Sequence, residues 1–154
     1  MREQQSGYIL IISSMAGQVG LPFQGLYGAS KFAIEGMAEA LRMEVRPFGI
    51  RVALIEPGDC HTQFTANRRK TLEAQQNQAY AEKCNTAIGV MECDEMHGFS
   101  PDKIAQLVEH IMRNPFPRVR YKVGNTLQKT LVTLKKIVPA SVFEWFILKY
   151  YKLL

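Results

Sequence analysis

An α/β fold built on a parallel sheet is predicted by three stretches of this 154-residue chain. The run Tyr8-Ile9-Leu10-Ile11-Ile12 is apolar without alternation, as a strand covered on both faces reads. Residues 26–46 place Ala33, Ile34, Met37, Ala38, Leu41 and Val45 at helical spacing. A second apolar run, Val52-Ala53-Leu54-Ile55, stops abruptly at Pro57-Gly58. Strand, helix and strand joined this economically form a βαβ crossover, so the two strands are predicted to be parallel.

Taken in order, polar residues 1–6 read as a helix end that Gly7 terminates. The first strand spans 8–13. Gly20, Pro22 and Gly25 mark a loop before the long helix, which Pro47 and Gly49 end. Along that helix Ala29, Ala33, Gly36 and Ala40 form a stripe of small residues, a face on which a second copy of the chain could dock. The second strand covers 50–56. Residues 62–99 are polar, with a helix predicted over 65–83 and few positions that demand burial, and they read as a lid or substrate segment. Ser100-Pro101-Asp102 opens another helix, with the stripe Ile104, Leu107, Val108, Ile111 and Met112, and Asn114-Pro115 closes it. From 118 to 124, Val119, Tyr121 and Val123 alternate with Arg118, Arg120 and Lys122, which predicts an edge strand with one exposed face. Residues 125–154 form an amphipathic helical tail in two pieces. Leu127, Leu131 and Leu134 mark the first, and a Ser141/Glu144 capping box opens the second, whose aromatics include Phe143, Trp145 and Phe146.

Composition narrows the function. The formal charge is +5, with basic residues scattered and no zinc-finger spacing, so nucleic acid is not an expected partner. Cys60, Cys84 and Cys93 fit no disulfide framework and read as reduced thiols. Cys93 and His97 are two candidate ligands where a closed zinc site needs about four, so no metal is expected. Residues 1–7 are too polar for a signal peptide, and no run reaches the ~20 apolar residues of a spanning helix. A cytoplasmic location is expected. The aromatic piece 141–154, with Lys149 and Lys152, adds the alternative of a weak peripheral membrane contact.

Three polar groups stand out against this background. Ser14 follows the first strand, and ligands of open α/β sheets bind outside the carboxyl ends of the strands. Tyr27 and Lys31 lie one turn apart on one helical face. A neighbouring ammonium favours phenolate over phenol, so such a tyrosine can exchange a proton with an alcohol or carbonyl oxygen. A serine hydroxyl can hold that oxygen and stabilise charge developing on it. None of these groups need attack carbon, and Ser13-Ser14-Met15 lacks the Gly-x-Ser-x-Gly elbow of a serine hydrolase. The set suits proton transfer coupled to hydride transfer from a cofactor. Tyr-x-x-x-Lys alone is a weak signal. The serine thirteen residues earlier and the strand ending at Pro57-Gly58 strengthen it.

Ile12-Ser13-Ser14-Met15-Ala16-Gly17, Tyr27-Gly28-Ala29-Ser30-Lys31 and Pro57-Gly58-Asp59-Cys60-His61-Thr62 together resemble the motifs of the short-chain dehydrogenase/reductase family. The resemblance extends to about Gly124 and implies the C-terminal part of a Rossmann-type doubly wound parallel sheet. It implies Ser14, Tyr27 and Lys31 as catalytic residues. Tyr27, Lys31, Pro57, Gly58, Cys60 and Thr62 would hold a nicotinamide cofactor, NAD or NADP, beside a hydrophobic alcohol or ketone. By the same resemblance, residues 1–124 are a partial catalytic domain. No Gly-x-Gly-x-x-Gly turn for a pyrophosphate occurs, nor the first strand that would precede it. The chain is therefore expected to be an inactive fragment of such an oxidoreductase. The alternative is a non-catalytic Rossmann-like binding or structural module.

Overall fold

The computed structural model describes residues 1–74 and 76–154 with their side chains. Its centre is a parallel sheet of strands β1 (Gly7–Ile12), β2 (Ile50–Pro57) and β3 (Arg120–Val123), in that order. The register sets Gly7 against Ile50 and Ile12 against Ile55, then Leu54 against Arg120 and Pro57 against Val123. Helix α1 (Gly25–Val45) connects β1 to β2, as the crossover reading requires. Gly49 sits at φ +66 where the chain turns into β2, and a side chain there would run into the Gln5 carbonyl.

Alternation along the strands divides the core. Val52 and Leu54 face α1 with Ile9, Ile11, Ala38 and Leu41. Ala53 and Ile55 face the other way, onto α4 (Asp102–Arg113), with Leu10, Ile111 and Tyr121. A third cluster lies beyond the carboxyl ends of the strands. It joins Met15 and Val19 to α3 (Gln78–Met96), α5 (Thr126–Leu134) and α6 (Ala140–Tyr150) through Ala87, Met91, Val132, Phe143 and Ile147. No helix among the described residues is long and apolar enough to cross a membrane.

Several local expectations change. The strand β1 is covered on both faces but only half buried, and Ile12 is 47% exposed, because among the described residues only β2 pairs with it. Residues 2–5 form turns rather than a helix end. In the 62–99 segment, helix begins later and runs longer than predicted, as α2 (Leu72–Gln76) and α3, capped by the side chains of Thr71 and Asn77. Cys84, Ala87, Ile88, Met91 and Glu95 are buried, so α3 is a core helix; its polar residues ring a narrow apolar stripe. Helix α4 starts at Asp102, whose N–H donates to the Ser100 hydroxyl at 3.3 Å. Val119 packs toward α1, opposite Tyr121 and Val123, because it precedes the strand in a bend. Arg120 is held by carboxylates of α1 and β2 rather than standing on an open face. In α5 the most buried position is Val132, while Leu127 is 54% exposed. No Ser141/Glu144 capping box forms, because α6 starts at Ala140, directly after Pro139.

Candidate active site

The strand ends bring the site together. The Ser13 N–H donates to the Ile55 carbonyl at 2.8 Å, carrying the β1–β2 ladder one residue past the strand. Ser14 then leaves the sheet in extended conformation, and its hydroxyl caps the 3-10 turn Met15–Gly17 by accepting the Ala16 N–H at 3.1 Å. Among the described residues its only other partner is the Pro57 carbonyl at 3.5 Å, a long contact. The hydroxyl hydrogen is thus weakly committed and can be given to an incoming oxygen.

Tyr27 and Lys31 lie in the first turns of α1. The Lys31 ammonium is 5.7 Å from the centroid of the Tyr27 ring and donates to the Ile12 carbonyl at 3.2 Å. That bond ties α1 to the end of β1 and leaves ammonium hydrogens for a ligand. Burial lowers the Lys31 pKa from its ordinary value. The Tyr27 ring is 5.7 Å from that of Phe64, so the segment after β2 covers the phenol.

The loop after β2 is held from both sides. The Gly58 N–H donates to the Val123 carbonyl at 2.7 Å. One residue of parallel bridging joins Cys60 to Phe99: the Phe99 N–H donates to the Asp59 carbonyl, and the His61 N–H donates to the Phe99 carbonyl. In such a bridge the N–H and C=O of Cys60 itself point the other way. Burial pushes the Cys60 thiol up. A β-carbon on Gly98 would lie 2.5 Å from the Asp59 carbonyl oxygen, so α3 can end this close to the loop only on a glycine. Thr62 is exposed, and its hydroxyl accepts the Phe64 N–H at 3.2 Å.

Ser14, Tyr27, Lys31, Pro57, Gly58, Cys60 and Thr62 all line one cleft of about 350 Å³. The structure thus collects every site residue singled out in the sequence. It also adds a wall that the sequence reading missed. Met91, Leu131, Val132, Ile147 and Tyr151 make its apolar part, and Asp59, Asp94 and Glu95 its acidic part. Burial, then the neighbouring Asp94 and Glu95, push the Asp59 carboxyl up to about 6. Glu95 is paired with Arg68, and the Tyr150 hydroxyl donates to Asp94 at 2.7 Å. Burial and that bond both raise the Tyr150 pKa. These groups come from segments far apart in the chain, so only Glu95, the one acid on the buried stripe of α3, offered a local sequence signal. Among the described residues no group of His, Cys, Asp and Glu side chains is arranged to hold a metal.

Comparison with known proteins agrees with this geometry. A family model described as short chain dehydrogenase matches residues 1–73. The chain is 38% identical over 151 residues to a 3-ketodihydrosphingosine reductase of Bacteroides thetaiotaomicron, covering 98% of this chain and 56% of that protein. It is 30% identical over 125 residues to the human 17-beta-hydroxysteroid dehydrogenase type 1, covering 79% of this chain and 38% of that protein. A short-chain dehydrogenase from Streptomyces avermitilis superposes with a TM-score of 0.67 at 28% identity, over 96% of this chain and 53% of that one. The chain therefore spans about half the length of the relatives it matches. Sequence motifs, parallel sheet and structural likeness agree, and the chain belongs to the short-chain dehydrogenase/reductase family.

Proposed function

We propose that this chain carries the proton-transfer half of an NAD(P)-dependent oxidoreductase that interconverts an alcohol and a carbonyl on a hydrophobic substrate. The observation that carries the reading is the convergence of Ser14, Tyr27 and Lys31 with the Pro57-Gly58 loop on one largely apolar cleft. In this reading the Ser14 hydroxyl donates to the substrate oxygen, Tyr27 gives or takes its proton, and the Lys31 ammonium stabilises the phenolate form.

The residues present fit the nicotinamide-ribose end of the cofactor. Lys31 has unused donors, and the Cys60 N–H and C=O stand free of the Phe99 bridge on a residue lining the cleft. Lys31 would hold the ribose; Pro57, Gly58, Cys60 and Thr62 would flank the carboxamide. When bound, the cofactor supplies the hydride. No Gly-rich turn that would receive the pyrophosphate is found in the sequence. The named relatives, a ketodihydrosphingosine reductase and a hydroxysteroid dehydrogenase, support an apolar ketone or alcohol as substrate. In this account the 62–99 segment, which places Phe64 over Tyr27, closes the substrate side.

Two contacts of this chain belong to the same proposal. Ala29, Ala33, Gly36 and Ala40 are exposed along α1 and would meet a second copy, which sedimentation equilibrium reads. On α6, Phe143 and Ile147 are buried in the domain while Trp145 and Phe146 are exposed, so any membrane contact is peripheral and is read by liposome co-sedimentation.

The enzymatic test is oxidation of NAD(P)H with an apolar ketone, in this chain or in a longer polypeptide that contains it. Tyr27→Phe lowers kcat ~10²–10⁴-fold while the fold is kept. Turnover that survives Tyr27→Phe unchanged contradicts the proposal, and a longer polypeptide containing this chain that binds but never turns over favours the binding-module alternative.

A further inference from the structure

Behind the cleft lies a charged cluster that the proposed chemistry does not use. Glu56 is 0% exposed and Glu35 5% exposed. Both face Arg120 of β3. Its Nε donates to Glu35 Oε2 at 2.8 Å and lies 3.1 Å from Glu56 Oε1, while a terminal nitrogen meets Glu39 at 2.6 Å. Gln18 Nε2 donates to Glu56 Oε1 at 2.6 Å. Glu35 Oε1, Glu56 Oε2 and the Ser13 hydroxyl, all buried, have no hydrogen-bond partner among the described residues. Glu35 and Ser13 are close in space, since a β-carbon on Gly17 would lie 3.0 Å from both Glu35 Cγ and Ser13 Oγ, and Glu35 and Glu56 meet through Arg120.

The placement of these groups in the chain is what matters. Gln18 ends the 3-10 turn that Ser14 caps. Glu35 lies one helical turn beyond Lys31 and two beyond Tyr27, on the same face. Glu56 immediately precedes Pro57-Gly58. The separate segments that deliver the hydroxyl, the phenol with its ammonium, and the loop are each tied to Arg120 or to a carboxylate it holds. We infer that Arg120 and Glu56 are positioning residues: they set the distance between Ser14, Tyr27, Lys31 and the Pro57-Gly58 loop from behind the sheet. The term positioning rests on the function proposed above; the coupling of the three segments does not.

Arg120 suits the task because a guanidinium fork can serve several carboxylates at once, whereas an ammonium is a point charge. It faces Glu35 and Glu39 from α1 and Glu56 from β2, with Lys122 alongside on β3 contributing a weaker positive field. One guanidinium under two buried carboxylates leaves Glu56 easier to protonate, and its pKa is raised by burial first and then by Glu35. A carboxyl with a raised folded pKa supports the fold fully below its unfolded value and loses that support as pH rises through the folded value.

Amide hydrogen exchange on the full chain tests this without need of turnover. Arg120→Met raises exchange roughly tenfold or more, together, in segments 13–18, 25–35 and 57–62, while 78–96 stays within about twofold. Arg120→Lys falls between wild type and Arg120→Met. The melting temperature of Glu56→Gln, neutral at every pH, rises relative to that of wild type as pH increases above the ordinary carboxylate range. A rise confined to 118–124, or one spread evenly through 78–96, overturns the inference, as does a Glu56→Gln melting profile parallel to wild type. Should Arg120→Met not fold, Arg120→Lys and Glu56→Gln decide on the same segments. If turnover is absent altogether, the exchange result still stands, so failure of the function and failure of the coupling are told apart.

Discussion

The two walls of the cleft are built on different physics. The near wall, from Ser14 through Tyr27, Lys31 and Pro57, is positioned by bonds to main chain. Ser13 extends the sheet ladder, Lys31 donates to Ile12, and Gly58 donates to Val123. The far wall is positioned by apolar packing of α3, α5 and α6, with Met91, Val132, Ile147 and Tyr151 interlocked. Main-chain bonds fix atoms to within a few tenths of an ångström in direction as well as distance, which proton transfer needs. Apolar packing fixes volume and tolerates change of identity, as a surface that shapes a hydrophobic substrate can.

Substitutions can break this contrast. The largest effect on stability belongs to the far wall. Ile147→Ala removes a side chain that is 7% exposed and should cost about 2–5 kcal/mol in denaturant unfolding. Its exchange should rise in α3 and α6 while segment 13–18 keeps its protection. Loss of protection in both walls together would show that they are one unit.

A smaller effect belongs to the junction of the walls. Gly98→Ala places a β-carbon against the Asp59 carbonyl and must push the loop aside, at about 1–3 kcal/mol. Because that loop carries Cys60, nicotinamide binding should weaken more than stability does. Equal loss of both would mean that the loop is not part of the site.

The smallest effect is a pH dependence. Asp59 is ordinarily a carboxyl near 3.8 and is raised to about 6 in the folded chain. A raised carboxyl stabilises the fold below its unfolded value and loses that contribution as pH rises through the folded one. Wild type should therefore lose stability between about pH 4 and pH 7, and Asp59→Asn should flatten that slope in thermal melts across the same window. An unchanged slope would place the titrating group elsewhere.

The same contrast explains what the sequence revealed. Every near-wall element is local: an apolar run, a hydroxyl at its end, a phenol and an amine one turn apart, and a Pro-Gly stop. Each could be read from neighbours within a few residues, and the structure places all of them on one cleft. The far wall joins Met91 to Ile147 and Asp59 to Gln128 across long stretches of chain, which no local period encodes. Residues 62–99 show few positions that demand burial in the sequence because the buried stripe of α3 mixes Cys84, Ala87 and Glu95 with Met91, too short in apolar bulk to stand out. The charged cluster left one trace. Glu56 directly follows the apolar run Val52–Ile55 of β2, and a carboxylate in that position needs a buried partner. The alternation of Arg120 with Tyr121 was visible, but the exposed face it suggested is filled by the carboxylates of α1.

The central claim is that the near wall is a nicotinamide and proton-transfer site. Its most direct test is titration of this chain with reduced nicotinamide mononucleotide, which carries the nicotinamide-ribose end alone, followed by amide and lysine resonances in NMR. Saturable shifts should appear at Lys31, Gly58, Cys60 and Thr62 and weaken strongly in Lys31→Met, with Ile147→Ala binding as wild type does. Shifts that never saturate, or that centre on the far wall and ignore Lys31→Met, would contradict the account.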